Sequence, residues 1–185
     1  MAERTHETIE SGTPDPMPYM HPVMAKNYGK WVFHNHPKAG VLYHRAASGD
    51  EVWTVKAGTQ RQMDHYTIRK LADIADQFAD GYVRFTSRSN IEYMVTDGAK
   101  VDGLIKALND NGFPVGGTAN SVSMVAHTQG WLHCDIPGTD ASGVVKALMD
   151  ELYDDFVKCE MPNRVKLSTS CCEINCGGQA DIAII

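Results

Sequence analysis

The sequence predicts an α+β fold for this chain of 185 residues, and three observations carry the prediction. Between residues 51 and 112, stretches that alternate apolar and polar residues are interleaved with stretches whose apolar residues recur every three or four positions. Beyond residue 140 a long helical pattern is followed by strand-like segments. Between those segments Cys171, Cys172 and Cys176 crowd into six positions, a density that asks for a chemical reason.

Seventeen basic against 23 acidic residues and a pI near 5.7 argue against nonspecific nucleic-acid binding as the main task. No apolar run is long enough to span a bilayer, and the first residues are polar rather than a basic then hydrophobic leader, so a cytoplasmic protein without a membrane span is expected. Five cysteines, an odd number and clustered, fit metal or redox chemistry better than a disulfide framework.

Taken in order, residues 1–22 place Pro14, Pro16, Pro18 and Pro22 in polar surroundings, which predicts an extended arm of the kind that lies on a partner subunit. The stretch from Trp31 to His44 mixes aromatic residues with histidines around Pro37 and Gly40, and reads as turns and surface rather than a metal site. Residues 52–57 read as a strand. Residues 67–78 read as a helix capped by Thr67, with Ile68, Leu71, Ala75 and Phe78 on one face. Residues 82–86 and 91–95 read as two strands joined by a turn at 87–90. Val101, Leu104, Ile105 and Leu108 mark a second helix closed by Asn111 and Gly112. The order strand, helix, strand, strand, helix is most of a ferredoxin-like split unit, assigned to residues 23–115.

After Gly116 and Gly117 the residues turn small and polar, which marks a second domain over residues 116–185. Residues 140–157 read as the longest helix of the chain, with Val144, Val145, Leu148, Met149, Leu152 and Phe156 facing inward. Residues 164–169 and 180–185 read as strands. A strand at the very end, with no turn or polar tail after it, reads as part of a longer protein.

Two features carry chemistry. Adjacent Cys171 and Cys172 are poorly placed to bond each other. Thiolates on a glycine-ended loop, joined by Cys134 from His127-Thr-Gln-Gly-Trp-Leu-His-Cys134, suit a soft metal or an iron-sulfur cluster, and a structural zinc would use the same four thiolates. Cys159 stands apart as a core residue. Arg84, Thr86 and Arg88 occupy alternate positions, so a strand would project them from one face as a seat for carboxylates or an oxyanion, the plainer reading being a solvated face. Lys56 and Lys166 read as ordinary surface lysines.

Together the His127 to Cys134 segment, the Cys171-Cys172-x-x-x-Cys176-Gly177 loop and the Arg84-Phe-Thr-Ser-Arg88 strand resemble the beta subunits of dissimilatory sulfite reductase, among the siroheme sulfite and nitrite reductases. The resemblance covers roughly residues 20–185. It implies a ferredoxin-like half-domain followed by part of a siroheme and iron-sulfur-binding α/β domain. It implies that Cys134, Cys171, Cys172 and Cys176 bind a 4Fe-4S cluster, that Cys176 bridges the cluster to siroheme, and that Arg84, Thr86 and Arg88 hold siroheme carboxylates. It further implies an oxidoreductase acting on sulfite, an alpha subunit in an alpha2beta2 assembly that supplies most sulfite contacts, and an electron-donor or acceptor protein. The wide separation of Cys134 from Cys171 fits the dissimilatory branch, whereas assimilatory enzymes place their first cysteines only a few positions apart. An electron carrier or cluster scaffold without substrate chemistry is the competing reading, and the residues do not fix the physiological direction.

Overall fold

The computed structural model describes residues 15–185. Five antiparallel strands form the first sheet: β1 (Trp31–Lys38), β2 (Val41–Ala46), β3 (Glu51–Gly58), β4 (Val83–Phe85) and β5 (Asn90–Val95), in spatial order β1-β2-β3-β5-β4. Alternation decides its two faces. Val55, Ala57, Ile91, Tyr93 and Val95 turn to one side, where they pack against the helices α2 (His65–Phe78) and α3 (Val101–Asp110) through Leu71, Ile74, Leu104 and Leu108. The buried phenol of Tyr93 donates to the Leu71 carbonyl at 3.1 Å, and burial raises its pKa. The alternate residues Thr54, Lys56, Arg84 and Glu92 therefore turn to the opposite face, where no helix of this packed layer lies.

Three local expectations change. The histidine-rich stretch is a hairpin, β1 to β2, turning at Gly40, whose φ of +73° favours glycine and whose Cβ would collide with Val115. His34 and His44 face each other across it, Nδ1 to Nδ1 at 2.7 Å. Helix α2 begins at His65 rather than at a Thr67 cap: the Asp64 carboxylate accepts from the Thr67 amide at 2.7 Å, so the acidic cap lies one turn earlier. Its buried side is Leu71, Ile74 and Ala75, with Ile68 exposed. Of the arm expected over residues 1–22, residues 1–14 lie outside the described residues; Met17–Tyr19 form a single 3-10 turn and Pro22 opens the short helix α1 (Pro22–Lys26).

The second half forms a three-stranded parallel sheet of β6 (Ala126–His127), β7 (Leu167–Thr169) and β8 (Ile182–Ile184), with β7 central. Strand β8 pairs on one side only and its side chains are exposed. The long helix expected over 140–157 is two helices, α4 (Ala141–Glu151) and α5 (Tyr153–Lys158), broken at Leu152, and the longest helix among the described residues is α2 with 14 residues. Cys159 ends α5 in the left-handed region and its thiol donates to the Thr118 carbonyl at 3.0 Å. Val122, Val125, Val145 and Leu167 make a separate small core.

Phe156 joins the two halves. It is 0% exposed, and Cβ atoms on Gly116 and Gly117 would collide with it, which explains the glycine pair at the crossing, while its ring also reaches contact distance of Gly58. The Gly117 amide donates to the Phe156 carbonyl at 2.9 Å, and Ala57 bridges Val115. Thr118, Ser121 and Ser123, among the small polar residues that follow, are buried: the Thr118 hydroxyl accepts from the Gly40 amide of the first half at 2.9 Å, and the Ser121 hydroxyl donates to the Thr118 carbonyl at 2.7 Å.

Candidate functional site

The open face of the first sheet leads into a cavity of about 290 Å³ lined by Lys56, Arg84, Thr86, Arg88, Glu92 and Arg164, among others. Strand pairing builds it. Lys56 on β3 and Arg84 on β4 are both register partners of Glu92 on β5, so one carboxylate lies between two cations. Lys56 Nζ reaches Glu92 Oε1 at 2.8 Å, and Arg84 donates through Nε at 2.8 Å and through Nη2 to Oε2. Glu92 is 2% exposed. Burial alone would raise its pKa, but the Lys56 and Arg84 charges and hydrogen bonds outweigh that and hold it below the ordinary carboxylate value.

The Thr86 hydroxyl accepts from the Asn90 amide at 3.2 Å and from the Arg88 amide at 3.4 Å, closing the β4 to β5 turn with Ser89 in the left-handed region. This turn swings Arg88 back over the cavity. The three residues predicted from alternate spacing thus line one wall, although β4 itself ends at Phe85. Lys56 corrects the surface reading: its side chain is 12% exposed and belongs to the cavity. Arg164 was missed, since it comes from the second half, three residues before β7, and no local pattern links it to a strand some 80 positions earlier in the chain.

Cys134, Cys171, Cys172 and Cys176 lie on two loops that meet at the C-terminal end of β7. The Cys171 carbonyl accepts from the Gly138 amide at 2.7 Å and from Thr139 at 3.1 Å, and its amide donates to the Thr128 hydroxyl at 3.0 Å. The loop holding Cys134 is therefore tied to Cys171 at both ends, by backbone amides after it and by the Thr128 hydroxyl before it. Thr128, followed by the Gly130 amide, lowers the Cys171 thiol pKa. Cys171 is buried, Cys134 and Cys172 half-buried and Cys176 exposed. The Cys172 to Gly178 turn is shaped from below by serines of β7 and its end. The Ser170 hydroxyl donates to Asn175 Oδ1 at 2.7 Å and accepts from the Gly177 amide at 3.2 Å, while Ser168 donates to the Gly178 carbonyl at 2.9 Å. At Gly177 any Cβ would collide with the Thr169 carbonyl. Lys166 is half-buried and lines neither feature.

A five-stranded sheet with one helix-covered face and one cationic face, followed by paired cysteine loops, defines a class. Residues 44–111 match the sequence profile of the nitrite/sulfite reductase ferredoxin-like half domain. The chain is 49% identical over 175 residues to the dissimilatory-type sulfite reductase subunit beta of Archaeoglobus fulgidus, covering 90% of this chain and 48% of that one. It is 46% identical over 173 residues to the same subunit of Nitratidesulfovibrio vulgaris, covering 89% and 45%. The crystal structure of dissimilatory sulfite reductase I superposes with a TM-score of 0.76 at 13% identity, over 96% of this chain and 41% of that one. The chain belongs to the dissimilatory sulfite reductase beta-subunit family, and it spans about half the length of these two relatives.

The residues present fit the cofactors of that family in donor chemistry. Four thiols on adjoining loops match the ligands of a 4Fe-4S cluster, and buried Nε atoms on Arg88 and Arg164 lack a hydrogen-bond partner beside the cavity, as suits an anionic ligand. Among the described residues no three His, Cys, Asp or Glu side chains converge to hold a single metal ion. No described helix is long and apolar enough to cross a membrane.

Proposed function

We propose that this chain carries the siroheme and 4Fe-4S site of a cytoplasmic dissimilatory sulfite reductase, acting as its beta subunit. In this reading residues 23–115 form the ferredoxin-like half-domain and residues 116–185 the first part of the cofactor-binding domain. Cys134, Cys171, Cys172 and Cys176 would hold the cluster, and Cys176, the exposed member on the glycine-ended turn, would also hold siroheme. Arg84, Thr86 and Arg88 hold siroheme carboxylates. The observation that carries the reading is the joint presence, in a chain 49% identical to a named beta subunit, of the cationic cavity and the tied cysteine loops.

A reduced macrocycle joined to a cluster supplies multi-electron chemistry at sulfur. This chain's own part is to bind and orient. Glu92 fixes Arg84 and Lys56 in place, so the cationic wall is formed before an anion arrives and needs little reorganisation. Thr86 fixes the turn that aims Arg88. Ser168, Ser170 and Thr128 set the loops from which the thiols project. An alpha subunit in an alpha2beta2 assembly completes the sulfite pocket, and a separate protein exchanges electrons.

The test is spectroscopic. The full-length protein purified with its alpha subunit shows siroheme bands and a cluster paramagnetic signal, and reduces sulfite with a dye donor. A colourless zinc-loaded preparation, or a cluster with no macrocycle bands, would refute the reading in favour of a zinc domain or an electron carrier.

A further inference from the structure

Resting on the reading above, we infer that Thr128 is a tuning residue for the cluster: its hydroxyl accepts from the Cys171 amide and donates its own proton to the Cys171 sulfur, which makes the cluster easier to reduce. Position comes first. Thr128 directly follows β6, whose His127 pairs with Thr169 of β7, and its amide donates to the Thr169 carbonyl at 3.3 Å. The parallel ladder carries it alongside the start of the cysteine loop, where Thr128 and Cys171 are both buried, at 8% and 4% exposed.

Hydrogen bonding then leaves one proton over. The Cys171 amide donates to the Thr128 hydroxyl oxygen at 3.0 Å, so that oxygen is the acceptor and its own hydrogen has still to find a partner. Buried donors are nearly always used, and among the described residues no carbonyl or carboxylate takes this one. The Cys171 sulfur lies within its reach, and the Thr128 hydroxyl is the foremost influence on that side chain, ahead of the Gly130 amide. Gly130 stands in the left-handed region at a φ of +60°, a conformation that favours glycine, and presents its N–H to the same sulfur. One loop therefore aims two donors, a hydroxyl and an amide, at one thiol.

The chemical consequence follows from where charge goes. Reduction adds an electron that the sulfur ligands share, so a proton aimed at one of those sulfurs stabilises the reduced form more than the oxidised one. Burial strengthens the effect, since little water competes for the bond. Valine has nearly the shape of threonine and offers neither donor nor acceptor, whereas serine keeps both.

The experiment uses the full-length protein in its native assembly and follows, by paramagnetic resonance during a redox titration, the cluster signal that Cys176→Ser removes. At the midpoint potential of the unsubstituted protein, Thr128→Val leaves about threefold less of the cluster reduced, part of the free energy of one hydrogen bond, with iron per chain unchanged. Thr128→Ser restores the unsubstituted curve. A Thr128→Val protein that titrates like the unsubstituted one overturns the inference and leaves the cluster assignment standing. A Thr128→Ser protein shifted as far as Thr128→Val also overturns it, because the hydroxyl is then not the cause. If the unsubstituted protein carries no such cluster, the reading and the inference fall together. Should Thr128→Val hold no iron, resonance Raman spectra of the unsubstituted protein decide: brief transfer to D2O exchanges hydroxyl protons ahead of buried amides, so shifted iron-thiolate bands support the bond and unmoved bands overturn it.

Discussion

Arg84 and Glu92 face each other as register partners on β4 and β5, with Arg84 Nε donating to Glu92 Oε2 at 2.8 Å. With Lys56 on the other carboxylate oxygen, a buried anion is held between two cations on three neighbouring strands. The strand ladder itself thus fixes the cationic wall.

Glu92 ties stability to acid pH. Its pKa is lowered in the folded chain, so its contribution is complete above the ordinary carboxylate range, about 4.3, and disappears as pH falls through the lowered value. Glu92→Gln flattens the acid limb of a plot of urea midpoint against pH. Glu92→Ala, which leaves the poorly exposed Lys56 without its partner, costs about 3 kcal/mol at pH 7. An unchanged acid limb in Glu92→Gln would show that the triad carries no folding free energy.

A second acid-sensitive tie lies at α1. Hydrogen bonds from Lys26, then Asn27 and Ser48, hold the Asp50 pKa down to about 2. The tie is whole above the ordinary carboxylate value and is lost as pH falls through about 2. Asp50→Asn removes the Lys26 and Asn27 chemical-shift changes that an acid titration followed by NMR otherwise reports.

Phe156→Ala opens a void against Gly58, Gly116 and Gly117 and lowers unfolding free energy by roughly 3–5 kcal/mol. Chemical denaturation measures this directly. A loss under about 1 kcal/mol would mean that the halves pack independently of this ring.

Gly177→Ala drives a Cβ into the Thr169 carbonyl, so the cysteine turn must move away from β7. Iron per chain falls severalfold in the purified full-length protein, while the β1 to β5 sheet retains its hydrogen-exchange protection. Full iron content would separate the turn from cluster binding.

Cys176→Ser removes the cluster signal and weakens macrocycle retention, because in the proposed site Cys176 would hold both groups. Cys159→Ser leaves both, since its thiol is engaged with the Thr118 carbonyl at the end of α5. Equal losses in the two variants, by visible and paramagnetic spectroscopy, would reject the ligand assignment.

Local order was legible in the sequence wherever one segment carried its own signal. The strands near 52–57 and 91–95 and the helix at 101–110 follow from their apolar periods, and the cysteine spacing marks the loop at 171–178. Arg84, Thr86 and Arg88 do line one cavity as the alternate spacing suggested, but only Arg84 lies on a strand; the turn after Phe85 brings in the other two. Tertiary structure decided what depends on partners far away in the chain. The break at Leu152 divides a continuous helical pattern, and the helix after it carries Phe156 against the glycines at the crossing. Lys56 became a buried cation only through its register with Glu92, and Arg164 joined the cavity only because the second half folds back against the first. Periodicity encodes which side of an element is buried; it carries no record of which distant side chains will share that side, since register and packing across the halves are set by the whole chain at once.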